Sequence, residues 1–187
     1  VIFLISLPGQ LRFGVATMTM SAVVTMYLFG VAYVALAGTY YFVDAYIPIA
    51  VFLGMHLLLT DPATSPRTEL GRVIFGVVYA LSVIALYGIL GAVGAPRFYD
   101  KLLAVPVMNL LVRGIDRGVR STAFWRLTPG TDLSGVTGRR QHLAAVGVWT
   151  IVFVGMSAAQ GVGDTHRGQW VTFWQQACAE NRRNGCR

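Results

Sequence analysis

Charge is scarce in this chain. Only 12% of its 187 residues are Asp, Glu, Lys or Arg, while 55% are hydrophobic. An ordinary soluble domain carries roughly 25% charged residues, and the mean hydropathy of +0.60 suits lipid better than water. Acids are fewest, at 8 against 15 basic residues, for a net charge of +7. The basic residues cluster between apolar runs, which fits a membrane protein with a positive inner side and argues against a nucleic-acid binder. Cysteine is nearly absent, with two residues, and histidine has three. His56, His142 and His166 fall in different regions, so haem ligation has no support, and no metal set appears at ligand spacing. Also missing are a Gly-x-Ser-x-Gly elbow, a phosphate-binding loop and paired carboxylates in one apolar stretch, so no hydrolase constellation is visible and no catalytic residue is assigned.

What is present is a series of long apolar runs. A spanning helix needs about 20 apolar residues. Residues 15–38 and 73–94 meet this, and 144–162 forms a last span. Residues 45–60 are shorter and hold Pro48, with Asp44 expected at an interface as a cap; an ion-pathway role for Asp44 stays open. Residues 102–115 hold Pro106 and Asn109 and suggest a broken helix, tolerated only where protein covers the freed backbone. The expected fold is therefore an all-α, polytopic bundle of about five spans after a leading partial one. Its transmembrane domain covers 1–162 and an extracytoplasmic tail covers 163–187. Recurrent glycines along the spans favour close helix packing. The opening reads as the end of a helix and the far end stops as a pattern begins, so a longer protein is expected.

Arginine placement sets the expected orientation. Loops on one side hold Arg12, Arg67, Arg72, Arg113, Arg117, Arg120, Arg126, Arg139 and Arg140, whereas the other side holds Arg97 and Lys101. The first side is then cytoplasmic, in a bacterial inner membrane, and the tail is periplasmic. Cys178 and Cys186 both lie in that tail, where an oxidising compartment permits a disulfide; two free thiols or a metal site are the alternatives. Trp170 and Trp174 suit an interfacial helix.

Residues 55–72, "MHLLLTDPATSPRTELGR", place a compact hydroxyl-rich loop at a membrane boundary. Pro62 and Pro66 stop the flanking helices, Asp61 can cap, and Thr68 with Glu69 and Gly71 marks the start of the next helix. Asn109 is either a bond between helices or a ligand contact. His56 suits a satisfied position in the bundle.

The stretch "LLLTDPATSPRTELGRVIFGVV", followed by "AVPVMNLLVRGIDR", resembles the D subunit of Rnf electron-transport complexes and the B subunit of sodium-pumping NADH:quinone oxidoreductase. The resemblance covers roughly 70 residues directly. It implies a membrane-embedded, flavin-carrying electron-transfer subunit made of two related halves, of which this chain is the second. It also implies that Thr60, Asp61, Thr64, Ser65, Thr68 and Asn109 face a flavin, FMN or riboflavin, through groups that bond without a costly buried charge. The family's covalent flavin motif has only a distant counterpart here, "TDLSGVTG" at 131–138. Val136 replaces Ala, the Asp is one residue too close, and the order along the chain is reversed. Ser134 to Thr137 thus reads as a turn, with Thr137 the one candidate for covalent flavin. The tail, "FWQQACAENRRNGCR", resembles the start of a cysteine-rich Sel-type helical repeat, which implies a periplasmic protein partner. Three functions follow as expectations: a flavin-binding subunit of an electron-transport complex; a cofactor-free scaffold subunit of a respiratory or photosynthetic complex; or half of a channel or transporter, suggested by Pro48 and Pro106. The expected partners are other membrane subunits and lipid, with no nucleic acid.

Overall fold

The computed structural model describes residues 1–43, 45–59, 65–121, 136–159, 166–182 and 185–186. All regular structure among them is helical: α1 (Ile2–Phe13), α2 (Ala16–Ala37), α3 (Ile49–Leu57), α4 (Glu69–Ala92), α5 (Asp100–Ser121), α6 (Val136–Ala158) and α7 (Val171–Ala179), with short 3₁₀ turns at Arg97–Tyr99 and Arg167–Gln169. Among the described residues three helical segments are long and apolar enough to cross a membrane: Ala16–Ala37, Glu69–Ala92 and Arg140–Ala158. The two weaker expected spans come out differently. Of residues 45–60, those described yield only the nine-residue α3, which follows directly on Pro48. Residues 102–115 lie inside α5, which continues past them through Asp116 and Arg117 to Ser121.

Local chemistry sets the helix ends. Gly14 and Gly38 close α1 and α2 in the left-handed region, at φ 63° and 68°, and their amides bond back to Gln10 and Val34. Glycine takes this conformation without steric cost. Thr68 caps α4, its Oγ1 accepting from the Gly71 amide at 3.0 Å. Pro48 sits just before α3 in an extended conformation, its carbonyl accepting from Val51 and Phe52. The proline that seemed to break a span instead starts a short helix, because its fixed φ and missing N–H cost nothing there.

Between α2 and α3 the chain folds back into the bundle without regular structure. Tyr40, Phe42, Ala45 and Ile47 are buried, and Tyr46 packs against Gly30, whose Cβ would stand 3.1 Å from it. At 1.5 Å per residue, Gly30 lies about 10 Å below the end of α2. Irregular backbone at that depth survives only under protein cover. The cover comes from Phe42 and Tyr41 against Tyr87, and from the Tyr41 hydroxyl, which donates to Ile84 O at 2.9 Å.

α2 and α4 run parallel and form the closest helix pair. Gly76 of α4 lies so near α2 that a Cβ would touch Met18 O and Ser21 Oγ. α5 returns antiparallel along α4, from Arg97 beside Tyr87 to Asp116, which accepts from the Arg67 amide. α1, α3 and α6 meet in an aromatic cluster where Phe3 stacks on Phe153 and touches Trp149 and His56. One continuous core joins these layers through Met18, Met26, Phe52, Met55, Phe75, Tyr79, Met108 and Trp149.

Candidate functional site

The bundle has two chemically distinct ends. At one end α1 stops, with Arg12 in its last turn, and α4 starts. Arg72 is buried there, and its guanidinium donates to Glu69 Oε1 at 2.6 Å, Gly14 O at 2.8 Å and Pro66 O at 3.2 Å. Thr17 donates to the second Glu69 oxygen at 2.8 Å, and His142 at the foot of α6 lies against Gly14. Arg72 thus ties the α1–α2 turn to the start of α4. Arg113 and Arg117, on the last turns of α5, belong to the same end. At the opposite end Arg182 Nη1 donates to Gly38 O at 3.1 Å, Tyr40 meets His166 and Phe173 edge-on, and Gly168 packs on Tyr40 and Val43 O. Residues 166–182 are therefore held on the end of α2, away from the Arg72 cluster.

The tail is itself a closed unit. Cys178 and Cys186 form a disulfide, Cα to Cα 4.6 Å. Just past α7, Asn181 is in the left-handed region at φ 51°. The Asn181 amide bonds to Cys178 O and the Arg182 amide to Ala177 O, both at 2.9 Å. This pairing satisfies the last carbonyls of the helix. Trp174 Nε1 donates to Gly168 O at 2.6 Å and fixes α7 on the preceding turn, while Trp170 is exposed.

The residues expected around a flavin are only partly brought together. Thr60, Asp61 and Thr64 lie outside the described residues, as does Asp44. Ser65 is half-buried, and the Thr68 hydroxyl is engaged by Gly71. Asn109 is exposed at the rim of a cavity of ≈ 10 Å³ between α3, α4 and α5, lined by Leu58, Leu59, Phe75, Tyr79, Val105 and Met108. That is room for about one water molecule; ligand pockets run to about 300 Å³ or more. The described residues on their own do not fit an isoalloxazine ring. Residues 136–138 form the first turn of α6 rather than a loop, with the Thr137 side chain outside the described residues and 131–135 outside them altogether.

The interior holds polar groups that sequence reading passed over. The Tyr79 hydroxyl, Trp149 Nε1 and Gln10 Oε1 are buried with no hydrogen-bond partner among the described residues. Gln10 does donate to Ser6 Oγ at 3.0 Å. His56 Nδ1 donates to Phe52 O at 2.8 Å, one turn back on the same helix. Asp100, at the start of α5, is 1% exposed. It accepts from the Lys101 amide at 2.7 Å and pairs with the Lys101 ammonium at 3.1 Å. Burial raises its carboxyl above the ordinary 3.8, and Lys101 only partly opposes this. Its sequence signal was an acid flanked by Tyr99 and Lys101 just before an apolar run, which reads equally well as a surface cap. Among the described residues no three His, Cys, Asp or Glu side chains gather to hold a metal.

No protein-family profile, curated protein or solved structure matches this chain.

Proposed function

We propose that this chain is a membrane-embedded scaffold subunit of an electron-transport assembly of the Rnf D and Nqr B kind, and that it holds an extracytoplasmic helical segment rigidly against its bundle. The observation that carries this reading is the tail itself. A disulfide-closed helix is fixed on the end of α2 by Arg182, His166 and Gly168, at the opposite end from the buried Arg72 cluster. A flexible linker would make no such contacts. In the proposed orientation the arginine-rich end lies in the cytoplasm and the disulfide in the periplasm, where thiols oxidise. The choice of assembly rests on the resemblance of residues 46–117 alone.

A second reading makes the chain a redox subunit with its own FMN or riboflavin near Thr60–Thr68 and Asn109. The same resemblance supports it. One experiment separates the two. The native complex is purified through a tag on this chain, and its flavin fluorescence is followed before and after acid precipitation and on a denaturing gel. Redox subunits that co-purify, with no flavin traceable to this chain, support the scaffold. Flavin that stays in its band, or is released by acid and lost when this chain is deleted, supports the second reading. No co-purifying redox subunit overturns both.

A further inference from the structure

The disulfide closes the turn that carries the tail's charged contact with the bundle. Cys178 is in the last turn of α7, Cys186 lies eight residues on, and Arg182 sits between them. The backbone around Arg182 is tightly held. Its amide donates to Ala177 O at 2.9 Å and its carbonyl accepts from the Gly185 amide at 2.8 Å. Gly185 presses on Ala177 so closely that a Cβ would stand 2.5 Å from Ala177 O. The side chain is then aimed by Glu180, whose Oε2 pairs with Nε and Nη2 at 2.5 Å, leaving Nη1 to donate to Gly38 O at 3.1 Å. Gly38 ends a 22-residue helix, where unsatisfied carbonyls carry partial negative charge that a cation complements.

We infer that Cys178–Cys186 is a thiol-sensitive latch: oxidised, it presents Arg182 to the end of α2 and keeps the tail docked; reduced, it lets the turn open and the contact dissolve. This rests on the scaffold reading to the extent that the docked tail is what the latch controls. The reductant is a dithiol. Its first thiolate attacks the exposed Cys186 sulfur, the Cys178–Cys186 bond breaks, and Cys178 leaves as a thiolate that takes up a proton. The second thiolate then displaces Cys186, which is protonated in turn, and the dithiol ends as a disulfide. Two electrons pass to the protein. The chain loses the cross-link that limits the conformations open to residues 178–186, and Arg182 must find Gly38 from a broader ensemble.

The test is amide hydrogen exchange on the full chain in lipid nanodiscs, oxidised and after dithiothreitol, with Cys178→Ser/Cys186→Ser as a reductant-free control. Exchange at residues 38–42 and at 177–182 should rise about tenfold on reduction, the scale of one charge-assisted contact at a helix end. Arg182→Ala with the disulfide intact should raise exchange at 38–42 alone. If reduction loosens 177–182 and leaves 38–42 unchanged, the latch is overturned while docking through His166 and Gly168 stands. If 38–42 already exchange freely in the oxidised protein, the docked tail and the scaffold reading fail together.

Discussion

Gly76 offers the sharpest test of the packing. A Cβ added there would lie 2.1 Å from Ser21 Oγ, 2.3 Å from Met18 O and 3.0 Å from the Ala22 amide nitrogen. The hydroxyl cannot swing aside freely, because it donates to Met18 O at 2.9 Å. The other two atoms are backbone. A carbon next to a carbonyl oxygen needs about 3.3 Å, so Gly76→Ala must push α2 and α4 apart by about 1 Å along their closest contact. Ala gains about 1 kcal/mol over Gly in helix propensity. Overpacking costs about 1–3 kcal/mol, and a clash with backbone belongs at the upper end, so the net loss should be about 1–2 kcal/mol, larger for Gly76→Val. Gly147 and Gly155 of α6 are the controls, since a Cβ at either meets nothing within 4 Å. There the change to Ala should be neutral or stabilising by up to about 1 kcal/mol. Unfolding in mixed micelles of rising SDS fraction, followed by helical circular dichroism, reads all three variants. A Gly76→Ala protein as stable as the Gly147→Ala control would refute the close α2–α4 crossing.

Arg72→Met should cost about 3 kcal/mol in the same assay, the usual loss when one partner of a buried pair is removed, because it strands Glu69 and the carbonyls of Gly14 and Pro66. Arg72→Lys should recover only part, since a lysine cannot span all three acceptors; equal stability of the two variants would count against the clamp. Thr68→Ala should lose about 1 kcal/mol and Thr68→Ser almost nothing, and a loss in both would mean that the hydroxyl bond to Gly71 is not what matters. Asp100 has a raised carboxyl pKa in the folded chain. Its contribution is therefore present below the unfolded value of about 3.8 and is lost as pH rises through the folded value. Asp100→Asn should be at least as stable as the parent at neutral pH, and its stability should vary less with pH above 4. An Asn variant that is less stable than the parent at pH 7 would show that the Lys101 pair outweighs burial.

Much of the bundle was legible because composition dominates a membrane helix. Residues 15–38 and 73–94 appear as α2 and α4 with ends shifted by a few residues, and Gly38 and Thr68 mark those ends by chemistry that any sequence shows. The α2–α3 connection was not legible. An aromatic run such as Tyr40–Tyr41–Phe42 reads as interface or helix, and only the packing of Phe42 on Tyr87 reveals an irregular segment folded into the core. α5 was cut short because hydropathy falls at Arg113, although the helix continues to Ser121 and Asp116 accepts from the Arg67 amide. The buried polar residues Gln10, Arg72 and Asp100 look like surface residues in sequence, since their partners are backbone groups distant in the chain or a neighbour within it. Of the flavin positions inferred by resemblance, Thr68 caps a helix and Asn109 borders a small cavity, while Thr60, Asp61 and Thr64 lie outside the described residues.

Sidedness tests the account at its centre. Single cysteines are placed at Arg140 and at Trp170 in a Cys178→Ser/Cys186→Ser background, and right-side-out and inverted membrane vesicles are treated with a membrane-impermeant maleimide. The account predicts that residue 140 reacts only in inverted vesicles and residue 170 only in right-side-out ones. Labelling of both positions from the same side would contradict it, because the arginine-rich end and the disulfide-closed tail would then share one face of the membrane.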